Sequence, residues 1–253
     1  STALDSVFVK NNSVLAQEAA LVPGSSLITG LNSFSSDNGS LQLSPNGQHY
    51  AYRGTVNATS EDFVLSSVGV FETGQPIVPG SSETWSDATG ITNTFLGNAV
   101  NDWGDIVLVG ASSITTTNRN LVFVLNGYEI ILRETDPVDF TGDGIGDGFY
   151  VANVNIDDMV LTANNDLYFT ADLKTTTSQS SGSNQAFMKL RLPLTADLDG
   201  DNEVGPGDFA ILATAFLSTP GDPNWDVRAD IDRDGEVGPG DFSILARNFL
   251  RSR

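Results

Sequence analysis

Three features predict a mainly β chain with a small helical module at its C-terminal end. Upstream of Pro193 the text is rich in Val, Ile, Thr, Ser, Asn and Gly, set as short alternating runs between turn dipeptides. That is the pattern of half-buried antiparallel strands. This text repeats with turn residues 57 and 58 positions apart, at Asn12, Gly69 and Gly127. From Asp197 onward an acidic text takes over and repeats with an offset of 33 residues.

The first hairpin of each β unit reads Val7-Phe8-Val9-Lys10-Asn11-Asn12-Ser13-Val14-Leu15, then Val64 to Phe71, then Val122 to Glu129. The second has its turns at Gly47, Gly104 and Asn165, where tight hairpins demand Gly or Asn. Val-Pro-Gly-Ser-Ser stands at Val22 to Ser26 and again at Val78 to Ser82. The units span about 6–57, 63–115 and 121–173, and a strand at 186–192 opens a fourth that does not finish. Antiparallel four-stranded units of this period resemble β-propeller blades. Three and a fraction blades leave open a partial propeller, a stack of sheets, or several chains pooling their blades. The β domain is therefore read as 1–192, with Thr175 to Asn184 as a long hairpin loop inside its third unit.

The C-terminal repeat carries chemistry. Asp197, Asp199, Asp201 and Asp208 of the first copy recur as Asp230, Asp232, Asp234 and Asp241 of the second. Carboxylates at positions 1, 3, 5 and 12 of a twelve-residue loop form the oxygen cage that Ca2+ requires, and Glu203 and Glu236 at position 7 would offer a backbone carbonyl. Behind each loop runs a helical stripe, Phe209, Leu212 and Phe216, then Phe242, Leu245 and Phe249. Solvated acidic loops alone would not need the duplication. Two Ca2+ sites follow.

A duplicated calcium loop with a single helix after each copy resembles the dockerin module over about 195–253. Carried over residue by residue, the resemblance puts ligands on the eight aspartates. It departs from the family at three places. Asn202 stands at position 6, where Gly is expected, and Asn tolerates positive φ better than most residues. Position 9 is Gly205 or Gly238, so that ligand is water. Positions 10 and 11 are Pro206-Gly207 and Pro239-Gly240, where cohesin-binding members present hydroxyl residues. The resemblance thus implies the fold and the calcium more firmly than a cohesin-like partner, and docking within the chain is an equal expectation.

A third acidic stretch, Asp139-Phe-Thr141-Gly-Asp143-Gly-Ile-Gly-Asp147, is a weaker calcium candidate whose position 12 is Tyr150. Its bland reading is an Asp/Gly turn. The sequons at Asn11, Asn38 and Asn57 mark candidate glycosylation sites.

The balance of the chain excludes several functions. With 32 acids and 12 bases the net charge is −20, which opposes binding to nucleic acid or to an anionic membrane face. Without cysteine there are no disulfides, thiolate nucleophiles or iron–sulfur clusters, and one histidine, His49, excludes a two-imidazole site. No apolar run reaches the ~20 residues of a membrane span. The start, Ser-Thr-Ala-Leu-Asp, reads as a processed or trimmed end. His49 alternates on a strand and fits a structural role. Glu72, Asp105, Glu129 and Glu134 are numerous enough to supply a glycosidase pair, yet no motif selects any two of them. Trp85 and Trp103 are the aromatic candidates for a glycan.

The expectation is a non-catalytic, secreted or cell-surface calcium-binding protein. Its task is protein–protein assembly or adhesion, and its partner another protein or further copies of itself in a surface layer or filament. The rival reading is an extracellular carbohydrate-active enzyme or glycan binder carrying a dockerin. Millimolar calcium outside cells suits structural sites of this kind.

Overall fold

In the computed structural model, residues 7–17, 20, 24, 31–34, 41–56, 61–86, 94–116 and 119–253 are described. They fall into two units, Ser1–Leu161 with Tyr168–Lys189, and Thr162–Leu167 with Leu190–Arg253.

The first unit is a series of antiparallel meanders. It opens with a hairpin of β1 (Val7–Lys10) and β2 (Ser13–Gln17). The next sheet holds β3 (Leu31–Phe34), β4 (Leu41–Leu43), β5 (Tyr50–Val56), β6 (Glu61–Ser66) and β7 (Val70–Glu72) in the order β3-β5-β6-β7, with β4 also pairing β5. β8 (Phe95–Val100), β9 (Ile106–Ala111), β10 (Leu121–Leu125) and β11 (Glu129–Arg133) make a second sheet in order. β12 (Pro137–Val138), β13 (Phe149–Leu161), β14 (Asp166–Lys174) and β15 (Asn184–Arg191) make a third. The six turn positions singled out in the sequence all take positive φ, at Asn12, Gly47, Gly69, Gly104, Gly127 and Asn165. Gly and Asn stand there because other side chains would clash.

The sheets are phased one hairpin later than the sequence repeats. The hairpin at 64–71 shares its sheet with the hairpin at 43–53, and the one at 122–129 shares its sheet with β8 and β9. Likewise the strand expected to open a fourth unit is β15, the last strand of the third sheet. A meander can be divided at any of its turns, so a repeat fixes the period and leaves the phase open.

Packing follows the stack. Phe8 and Ala16 of the hairpin pack with Tyr50, Phe63, Leu65 and Val70 of the first sheet. The first and second sheets share a core of Ala51 and Val64 with Ile106, Leu108, Val122 and Val124, in which Trp85 is fully buried. On the opposite side of β10, Phe123 meets Phe169 of the third sheet with ring centroids 5.4 Å apart. Every residue of β9 and β10 is buried, as expected of strands covered on both faces. Lys174 and Glu134 form an ion pair inside this unit, Nζ to Oε1 3.0 Å. Burial pushes the Glu134 carboxyl above its ordinary range, and the bond from Lys174 opposes that shift.

In the second unit, α1 (Pro206–Ala215) and α2 (Pro239–Asn248) follow the two acidic loops. Each starts on a proline, whose missing N–H would have had no partner in the first turn. Their buried sides are Asp208, Leu212 and Ala215, and Asp241, Leu245 and Asn248. The expected phenylalanine stripe is corrected by this. Phe209 and Phe242 are each 45% exposed, and their rings meet edge-on at 6.4 Å, while Phe216 and Phe249 cap the helix ends in the open. Core leucines and alanines fill the space between the two helices, leaving the rings to the outer edge. Among the described residues no helix is long and apolar enough to cross a membrane.

Candidate metal centres

Each acidic loop is wound on its own aspartates. Asp197 takes the N–H of Gly200 on Oδ1 (2.8 Å) and of Asn202 on Oδ2 (3.0 Å), and Asp201 Oδ1 takes the N–H of Glu203 (2.8 Å). The second loop repeats this, with Gly235 donating to Asp230 Oδ2 (3.2 Å) and Glu236 to Asp234 Oδ1 (2.9 Å). The winding needs positive φ at positions 4 and 6. These are Gly200 and Asn202 in one loop, Arg233 and Gly235 in the other, so each loop holds one glycine and one strained residue.

The closing carboxylates do double duty. Asp208 Oδ1 accepts from Leu198 (2.5 Å) and Asp199 (3.1 Å), and its Oδ2 accepts from Gly205 (2.7 Å). Asp241 does the same with Ile231 (2.6 Å), Asp232 (3.1 Å) and Gly238 (2.7 Å). Each thereby ties the start of its loop to the N-terminus of its helix, where an anion is favoured.

Three carboxylate oxygens lie within 4.8 Å of one another in each loop, from Asp197, Asp199 and Asp208 in the first and from Asp230, Asp232 and Asp234 in the second. The expected fourth carboxylates, Asp201 and Asp241, lie outside these trios, and Asp241 spends both its oxygens on backbone N–H groups. Glu203 and Glu236 follow at position 7, their side chains beside Gly205 and Gly238. The sites are short of positive charge. Desolvation raises the Asp199, Asp230 and Asp232 carboxyls above the usual range, and repulsion from neighbouring aspartates adds to it against opposing backbone bonds. Asp230 is 7% exposed, and its Oδ1 has no hydrogen-bond donor. A buried anionic oxygen without a donor is costly unless a cation meets it. The donors are all hard carboxylate oxygens, which suit Ca2+ or Mg2+ over softer metals.

Sequence reasoning passed over one feature of the cage. A Cβ on Gly207 would collide with Asp199 Oδ2, and one on Gly240 with Asp232 Oδ2. Glycine at position 11 therefore makes room for the position-3 carboxylate in both copies.

The loops are also cross-linked to each other's helices. Leu217, after α1, donates its N–H to Val237 O (2.7 Å), and Val237 donates to Ser218 O (2.9 Å). Reciprocally, Leu250 donates to Val204 O (2.8 Å) and Val204 to Arg251 O (2.7 Å). Arg251 is buried, and its Nη2 reaches Asn165 Oδ1 (2.7 Å) and Ala163 O (3.3 Å). Asn165 Nδ2 in turn donates to Pro193 O (2.7 Å). These contacts are why the turn at 162–167 groups with the C-terminal unit.

The third acidic stretch is wound in the same way. Asp139 takes the N–H of Gly142 (2.6 Å) and of Gly144 (2.7 Å), and Asp143 that of Ile145 (2.8 Å). Asp147 accepts from Phe140 (2.7 Å) and Thr141 (3.2 Å), the bonds that Asp208 makes at its own loop start. Thr141 Oγ1 donates to Asp139 Oδ1 (3.1 Å), and those donors hold the Asp139 carboxyl below the usual range. Its carboxylates are not drawn into a trio like the other two.

The remaining candidates sit apart. His49 Nδ1 lies 3.2 Å from Ser67 Oγ with its ring against Gly104. Asp105 is bonded by Asn101 and Asn126, Glu72 by Gln75, and Glu134 by Lys174. Glu129 is half-buried in β11. Trp85 is core, and Trp103 is half-buried in the turn after β8. Asn11 is exposed in the first turn, whereas Asn38 and Asn57 lie outside the described residues.

Neither a curated protein nor a solved structure matches the chain. Residues 195–250, the segment that holds both acidic loops and both helices, match the Dockerin type I domain, a calcium-binding family.

Proposed function

We propose that this chain is a non-catalytic assembly protein of the cell exterior, whose C-terminal module folds around two calcium ions. The ligands are Asp197, Asp199, Asp201 and Asp208 with the Glu203 carbonyl, and Asp230, Asp232, Asp234 and Asp241 with the Glu236 carbonyl. Bound Ca2+ would supply the charge that each carboxylate trio lacks. The chain's own residues do the rest: they wind the loop, hold the closing aspartate on the helix and leave room at position 11. The carrying observation is the buried, donor-less Asp230 Oδ1 inside an all-oxygen trio in a segment that matches a calcium-binding family. The loop at 139–147, wound by the same bonds, is the weaker third site.

Dockerin modules occur on extracellular and cell-surface proteins and engage cohesin partners. The two helices with the half-exposed Phe209 and Phe242 are accordingly the surface through which this module would hold another protein. Its Pro-Gly pairs indicate a partner that reads something other than hydroxyls at those positions. Asp105, Glu72 and Glu134 are each held by a neighbouring side chain, which supports a non-catalytic body over a glycan hydrolase.

Calorimetric titration of the full chain with calcium tests the reading. Two ions at the C-terminal loops are expected, and Asp208→Ala with Asp241→Ala should abolish both. An unchanged titration in that double variant would overturn it. Turnover on a panel of glycans would promote the enzyme instead.

A further inference from the structure

Among the described residues, the stack of sheets in the first unit leaves a face open at either end, and the two open faces match the two sides of its internal interfaces. The hairpins β1–β2 and β10–β11 are copies, since each shifts register at the same place, after Phe8 and after Phe123. In each copy the phenylalanine side packs on the sheet that follows: Phe8 on Tyr50 and Tyr52, Phe123 on Phe169. On the opposite side of β10, Val122 and Val124 are fully buried against the preceding sheet. Their counterparts in the first hairpin, Val7 and Val9, are 48% and 47% exposed, and Val14, paired with Val9, is 59% exposed. At the other end, Phe169 turns inward while Phe187 and Val160 stand 69% and 56% exposed. The Phe187 ring lies nearly parallel to Tyr168, centroids 5.8 Å apart at 20°.

We propose that the exposed side of β1–β2 of one copy docks on the outer face of the β13–β15 sheet of another, continuing the stack head to tail. The occupant is a second copy because this chain supplies both halves of the contact. The valine side of the hairpin is the side that a preceding sheet covers in the internal repeat, and the third sheet presents the exposed Phe187 on Tyr168, with Lys189 Nζ 5.6 Å from the Tyr168 ring. Such a contact joins two different patches, so it does not close on itself as a two-fold dimer does and can propagate. At a net charge of −20 per chain, copies repel one another until salt screens them. Association should therefore strengthen between low and high ionic strength.

Sedimentation velocity of the full chain across concentration, in 0.02 M and ~0.5 M salt, tests this. The mass is expected to climb with concentration, more steeply at high salt, and equally in calcium and in chelator. That last feature separates this proposal from the calcium reading, since each can fail alone. Val9→Lys and Phe187→Lys are substitutions at exposed positions and should leave the melting curve unchanged. Each should weaken self-association by about tenfold or more, as expected of a central anchor. Mixed together they keep one working end each, so they should form pairs and stop there. A chain that stays monomeric throughout would overturn the proposal. So would a Phe187→Lys variant that associates like the parent, or variants that fail to pair when mixed.

Discussion

Truncating Asp241 to alanine asks how much of the module rests on one carboxylate. In the folded module its two oxygens hold three backbone N–H groups, from Ile231, Asp232 and Gly238, and the side chain is 1% exposed. Each buried donor left without an acceptor costs about 1–3 kcal/mol, with partial relief from water entering the loop. A total of roughly 3–5 kcal/mol follows, against about 3–9 kcal/mol of stability for a unit of this size. Asp241→Ala should therefore unfold a large fraction of the module in chelator. Asp241→Asn keeps one acceptor oxygen for Ile231 and Asp232 and turns an amide toward Gly238, so its cost is nearer 1–2 kcal/mol. Thermal melts of parent, Asn and Ala variants in chelator, with amide exchange read at Gly238 and Val237, give the ranking directly. Equal melting of the Asn and Ala variants would refute the hydrogen-bond account. A cost below about 0.5 kcal/mol for alanine would do the same.

Three further outcomes are expected. Gly240→Ala pushes the Asp232 carboxylate out of its place, so calcium affinity at the second loop should drop about tenfold in calorimetry while the chelator melt barely moves. Asn202→Gly relieves the positive φ of 69° at position 6 and should raise module stability by roughly 0.5–1 kcal/mol in urea titrations. Lys174→Met strands Glu134 in the β core and should cost about 3–5 kcal/mol at pH 7. The fold already holds the Glu134 carboxyl above its ordinary value of 4.5, so its contribution is fullest below that value and is lost as pH rises through the raised one. Without the opposing bond from Lys174 this slope steepens. The variant should recover part of its loss in urea melts at pH 5, and a loss that is flat with pH would exclude the mechanism.

The acidic loops were legible because the proposed ligands stand at set spacings, and the hydrogen bonds that wind the loops depend on the same aspartates. Turn positions were legible for a local reason, since Asn12, Gly69 and Gly127 answer to their own φ. The phase of the sheets was not local. Whether the 64–71 hairpin joins the strands before it or after it depends on pairings between Tyr52 and Leu65, which no single turn encodes. The helix stripe places Leu212 and Leu245 in the core and misplaces its phenylalanines, because a period of 3.6 finds an apolar side without saying which apolar residues the neighbouring helix will cover. In this module Leu212 and Leu245 fill the core with alanines and valines, and the phenylalanines are left half outside. Grouping of the turn at 162–167 with the C-terminal unit was illegible too, since it rests on Arg251, 86 positions from Asn165.

The reciprocal bridges would make the two proposed calcium sites depend on each other. Val204 and Val237 stand at position 8 of their loops, one residue beyond the carbonyl assigned to the ion. Each is hydrogen-bonded in both directions to the segment behind the opposite helix. An ion that fixes the first loop therefore fixes Leu250 and Arg251, and with them the end of α2, whose start carries the closing Asp241 of the second loop. The second ion then finds part of its site already ordered, and the ordering cost that remains is smaller. Couplings of this kind run about 1–3 kcal/mol, or five-fold upward in affinity. Asp230→Ala removes a ligand of the second loop alone, so in calorimetry it should weaken calcium binding at the intact first loop by about five-fold. Exchange at the Val204 and Leu250 amides in the same variant should speed up even though neither residue lies in the altered loop. First-loop affinity that stays at the parent value, with those two amides unchanged, would show that the bridges join the sites in space without joining them in free energy.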